Sequence, residues 1–136
     1  MNPRTRAREV ALQLLFQYDI NPWVSIDAMA RFVRDRLGPV REDDFSLKLY
    51  HGVIEIREEI DTRLSAIAEN WRVSRMASVD RNILRMGAYE MLHMADITPG
   101  PVVLDEAIEL ARRYGSEDSP AFVNGILDRL FRTGGK

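Results

Sequence analysis

Cysteine is absent from the chain, so neither a disulfide nor thiolate chemistry is available to it. Lysine is almost absent. Lys48 and Lys136 are the only two, so arginine carries the basic charge, and arginine is the better fork for phosphate and the better plate for stacking. No apolar run approaches the roughly 18 residues that span a bilayer, and the basic first residues lack the apolar stretch and cleavage site of an export signal. The expectation is a cytoplasmic protein with no membrane association. An excess of charge of one sign is missing too: 19 Lys and Arg stand against 21 Asp and Glu, a formal net charge of -2. Any attraction for a polyanion must then come from a local patch. A chain of 136 residues suits one domain, spanning 1–136, and is long enough to bury about two thirds of its unfolded surface.

What is present is helical spacing, nearly everywhere. Asn2 followed by Pro3 is a helix start, and Ala7, Val10, Ala11, Leu14 and Tyr18 then recur at three and four residues. Ser25 is placed as the N-cap of a second helix that ends near Leu37, with Gly38-Pro39 as its stop. A long third pattern runs from Phe45 through Leu49, Val53, Ile60 and Leu64 to Trp71, as one helix or two, with a bend expected at Gly52. Ser78 is placed as the N-cap of the next helix, running to about Met94. Pro101 opens another that stops at Gly115, and Ser119-Pro120 repeats the cap and first-turn pairing before Phe122 to Phe131. No strand signal competes, so the pattern predicts an all-α bundle of about six to seven helices.

Few motifs carry chemistry. Glu90 and His93 have the Glu-x-x-His spacing of helical di-metal sites, but such a site needs a second copy, and His51 has none of the companions that would supply it. Asp105, Glu106 and Glu109 resemble an acid-base pair on one helix face; carboxylates early in a helix are explained equally by the peptide dipole. There is no Gly-rich phosphate loop and no nucleophile elbow. The reading is a non-enzyme with no metal and no cofactor. One feature resists a stability explanation. Arg4, Arg6 and Arg8 crowd a helix N-terminus, where the dipole disfavours cations by about 0.3–1 kcal/mol each. Phe122, just inside another helix start, adds an aromatic that is either core or a stacking surface for an unpaired base.

Three blocks, RAREVALQLLFQYD at 6–19, DRNILRMGAYEML at 80–92 and LDEAIELARRYGSEDSPAFVNGILD at 104–128, together resemble the NusB family of transcription antitermination factors. The resemblance spans nearly the whole chain, and its most specific part is Phe122-Val-Asn-Gly125 followed by Ile-Leu-Asp. It implies two small helical subbundles, a single-stranded boxA RNA ligand, the ribosomal protein NusE as partner, and an antitermination complex on RNA polymerase. It also assigns Arg4, Arg6 and Arg8 to an RNA-contacting first helix, joined by Asp118, Ser119 and Phe122. By the same resemblance the NusE face takes Phe16 and Ile20 at the far end of the first helix, with Asp80 and Arg81. The arginine cluster is interrupted by Thr5, which predicts weak RNA binding without the partner. The alternative is a self-associating homodimeric interaction module, and a third reading, the NusB-like head of an RNA cytosine methyltransferase, would need a methyl-donor domain and cysteines.

Overall fold

A computed structural model describes residues 2–38, 43–69 and 71–134; Pro39 and Lys136 lie outside the described residues. Among the described residues there are seven α-helices, one 3-10 turn and no strand. The helices are α1 (Pro3–Ile20), α2 (Ile26–Leu37), α3 (Asp43–Glu55), α4 (Arg57–Ala68), α5 (Ser78–His93), α6 (Gly100–Tyr114) and α7 (Ser119–Thr133), and the 3-10 turn covers Val73–Arg75.

The starts and stops follow local chemistry. Asn2 Oδ1 accepts the Arg4 amide at 2.8 Å, and Ser25 Oγ accepts the Ala28 amide at 3.1 Å, so both expected caps are made. Helix α2 ends on Gly38 at φ +59°, a conformation that a side chain would resist. Two expected caps are not made. Ser78 is the first residue of α5 behind Ala77, and Ser119 is the first residue of α7 behind Asp118, neither preceding residue capping through its side chain. The long third pattern is two helices, and the break falls at Ile56, φ −120°, rather than at Gly52.

Helix α5 is the axis. On one side α1, α2 and α3 pack on each other to form the first subbundle; on the other, α6 and α7 pack on α5 and on each other, with α4 laid across α5 and α7. Leu15, Leu49, Leu64, Ile83, Leu84, Leu110, Leu127 and Leu130 are fully buried in one continuous cluster that joins the two halves. Trp71, expected as the end of the third apolar stripe, is instead 57% exposed, because the chain leaves the helical face at Glu69, whose φ is +54°. Phe131 is 45% exposed with its ring against Gly100, while Val123, Ile126, Leu127 and Leu130 form the inward face of α7.

Gly52 matters for packing rather than for bending. A Cβ at this position would collide with the Tyr89 ring of α5, whereas a Cβ at Gly125 in α7 would meet nothing within 4 Å. Gly52→Ala is therefore expected to destabilise the fold by about 1–3 kcal/mol through overpacking. Gly125→Ala should stabilise it by about 0.5–1 kcal/mol through helix propensity. Thermal melts followed by circular dichroism check both signs.

Candidate nucleic-acid interface

The three arginines of α1 divide by environment. Arg8 is 3% exposed: its Nε donates to Glu90 Oε1 at 3.0 Å, its Nη2 donates to Glu90 Oε2, and its Nη1 lies 3.4 Å from Glu106 Oε1. The assignment of Arg8 to an RNA-contacting surface is corrected on this geometry. A guanidinium forked onto one buried carboxylate and flanked by a second is committed to the interior. Arg4 and Arg6 remain partly exposed, with the Arg4 guanidinium 4.3 Å from the centre of the Phe45 ring. Arg6 reaches the Arg36 carbonyl at 3.2 Å and Glu9 at 3.3 Å.

Glu9 connects this end of α1 to the end of α6. It is 3% exposed, and its carboxylate accepts from Tyr114 Oη at 2.6 Å, from Arg113 Nη1 at 2.9 Å and from Arg6. Burial pushes the Glu9 carboxyl up, but the Tyr114 hydroxyl and the Arg113 and Arg6 guanidiniums outweigh it and hold the group below its ordinary value of 4.5. The Tyr114 hydroxyl moves the opposite way, raised by burial, then by its hydrogen bond to Glu9 and by the Glu9 charge. Glu106, expected as an early-helix carboxylate, lies well inside α6, where it also accepts from Thr5 Oγ1 at 2.7 Å.

Immediately beyond Tyr114 the chain turns into α7. Ser119 is 1% exposed, and its Oγ accepts the Ser116 amide at 2.9 Å. Its hydroxyl thus closes the α6–α7 turn, a correction to its expected place on an open RNA surface. Asp118 is exposed at the mouth of α7. Phe122 is half-buried, with its ring centre 6.1 Å from that of Trp71 at 78°.

The expected partner residues lie toward the other end of α1, Phe16 about 18 Å and Ile20 about 24 Å from Arg4 at 1.5 Å per residue. Phe16 and Ile20 are 42% and 66% exposed. Arg81 Nη2 donates to Asp19 Oδ2 at 3.2 Å, so the start of α5 adjoins the end of α1. Asp80 is half-buried, and one of its carboxylate oxygens has no hydrogen-bond partner. A groove of about 340 Å³, lined by Leu14, Tyr18, Val24, Met29, Phe32 and Tyr50, opens alongside.

Glu90 of the Glu-x-x-His pair is occupied by Arg8, and His93 is exposed and stacked on Tyr89 at 5.2 Å. Among the described residues no three His, Cys, Asp or Glu side chains are grouped to hold a metal ion, and no helix is long and apolar enough to cross a membrane. Sequence reasoning missed Arg113, Tyr114 and Trp71. Arg113 and Tyr114 close an apolar stripe and carry no cue to their contact with Glu9, which lies 104 and 105 residues away.

An all-helical bundle with the Arg6–Glu9–Arg113 cluster at one end of α1 defines the class: a small helical protein of two subbundles. The chain belongs to the NusB family, whose model matches residues 5–132. It is 46% identical over 129 residues to the transcription antitermination protein NusB of Anaeromyxobacter dehalogenans strain 2CP-1, covering 93% of this chain and 89% of that one. It is 42% identical to the NusB of Geobacter sulfurreducens, over 98% of this chain and 96% of that one. Among solved structures, T. maritima NusB superposes with a TM-score of 0.83 at 36% identity, covering 96% of this chain and 92% of that one. The fold is also that of a chain in a crystal structure of NusB and NusE with double-stranded RNA, with a TM-score of 0.83 at 24% identity over 98% of both chains.

Because the folded Glu9 carboxyl is depressed, its contribution to stability is present above the unfolded value near 4.5 and is lost as pH falls through the lower folded value. Glu9→Gln should cost about 1.5–3 kcal/mol at pH 7, the range for hydrogen bonds to charged groups. That difference should shrink as pH falls below about 4.5, whereas Asp19, also depressed, keeps its share of the acid dependence. Urea titrations of both proteins across this range measure the two slopes.

Proposed function

We propose that this protein works in transcription antitermination by binding single-stranded boxA RNA together with NusE, and that the pair enters a processive antitermination complex on RNA polymerase. The observation that carries this reading is the Glu9 bridge. By tying Arg6 to Arg113 and Tyr114, it brings the arginine end of α1 onto the same corner as the α6–α7 turn with Asp118 and Phe122. Membership of a family whose relatives are named transcription antitermination proteins supports it from the other direction. In this reading Arg4 and Arg6 meet phosphates, and the aromatic side of the corner meets bases. Phe16, Ile20, Asp80 and Arg81 form the NusE face at the far end of α1, so both ligands bind at once.

A chain at net -2 with two partly exposed first-helix arginines has a shallow electrostatic well, so the partner is expected to strengthen RNA binding. Fluorescence anisotropy of a boxA-type RNA and a scrambled control, each with and without NusE at several salt concentrations, tests the reading. Arg4→Ala and Arg6→Ala should each weaken boxA binding and reduce the salt slope by about 0.7. Unchanged slopes, or equal affinity for the scrambled RNA, would contradict it. Self-association through the same corner is the competing reading, favoured by the exposed Trp71 beside Phe122. It predicts a dimer in sedimentation that RNA does not dissociate.

A further inference from the structure

We infer that Trp71, in the connection between α4 and α5, is the outer stacking surface for a base of the bound single-stranded RNA, and that Phe122 is its buttress. The inference rests on the RNA-binding reading above and deepens it. A tryptophan 57% exposed offers a large apolar face to water, and standing alone it would need no explanation. This one is not isolated. The Phe122 ring meets it edge to face at 6.1 Å and 78°, while Phe122 itself packs against the buried core. The half-buried phenylalanine thus spends much of its surface on protein and holds the indole in place, leaving the indole as the open π face.

The surroundings suit a nucleic acid strand. Arg72 and Arg75 follow Trp71 directly and are exposed. Arg129 of α7, two turns on from Phe122 along the same face, donates to the Ile67 carbonyl at 2.8 Å and pairs with Glu69 at 3.8 Å, and so pins α7 to the end of α4 beside the tryptophan. The Phe122 end of α7 is continuous with the α6–α7 turn and, through Tyr114 and Arg113, with the arginine end of α1. In this inference the strand runs from Arg6 and Arg113 past the α6–α7 turn to Trp71, with its bases toward the aromatic pair. Stacking of this kind tolerates any base, so Trp71 adds affinity rather than sequence discrimination.

The chain has two tryptophans, so Trp23→Phe leaves Trp71 as the sole indole emitter. Titrating a short boxA-type RNA oligonucleotide into Trp23→Phe should quench that emission, and Trp71→Ala should weaken RNA binding about tenfold or more in anisotropy with NusE present. Trp71→Phe should retain most of the affinity, and Trp71→Leu, apolar without a π face, should lose as much as alanine. The melting temperature of each variant separates binding from folding. RNA binding that still depends on Arg4 and Arg6, with neither quenching nor a Trp71→Ala effect, would overturn the inference and leave the RNA-binding reading standing. Trp71→Ala changing only self-association in sedimentation would overturn it in favour of a protein contact. No RNA binding by the unaltered protein, with or without NusE, would remove both.

Discussion

The structure depends on a buried charge pair. Arg8 of α1 and Glu90 of α5 are taken almost wholly out of water, each at a cost of several kcal/mol, and the fork geometry with both carboxylate oxygens offsets that cost. A domain of this size is stable by only about 5–15 kcal/mol, and leaving one partner of a buried pair unmatched costs about 3–5. A slide of α1 along α5 by one residue would break the fork. The pair therefore fixes the register between the two subbundles, and it reaches a third element through Glu106 of α6.

The same register decides where the exposed arginines stand. Arg4 lies one turn before Arg8 on the same helix face, and both guanidiniums approach the Phe45 ring, at 4.3 and 5.1 Å. Arg6 points elsewhere and enters the Glu9 cluster with Arg113 and Tyr114. Further down α5, Arg85 forks onto Asp61 of α4 with both contacts at 2.8 Å, and Asn82 donates to Asp19 of α1 at 2.9 Å. Polar residues of α5 thus grip α1 at both ends and α4 at the middle. The apolar cluster supplies most of the stabilisation, and these directional contacts choose which packing of the helices is populated.

The helices were legible because their signals are local: Asn2-Pro3, Ser25, Gly38 and Gly115 stand where caps and stops occur, and apolar spacing marked most of the core. The misread positions are those decided by distant residues. Arg8 is indistinguishable from Arg4 by spacing, and Glu90, 82 residues away, with Glu106 beside it, makes it interior. Ser119 follows an N-cap pattern, yet its hydroxyl serves the Ser116 amide instead. Trp71 continues an apolar stripe that the backbone leaves at Glu69, which turns a core expectation into an exposed ring. Resemblance to the family located the corner; the geometry sorted its residues into those facing water and those holding the fold.

In the proposed function Arg8 positions the RNA-binding corner from inside the bundle and does not touch the ligand. The most direct measurement is boxA affinity and its salt slope for Arg8→Met combined with Glu90→Met, which removes both charges and keeps apolar bulk, a replacement that buried pairs often tolerate. A buried positioning role for Arg8 predicts a folded protein whose salt slope equals that of the unaltered chain. A salt slope lower by about 0.7 in a variant that remains folded would show that Arg8 contacts a phosphate and would contradict it.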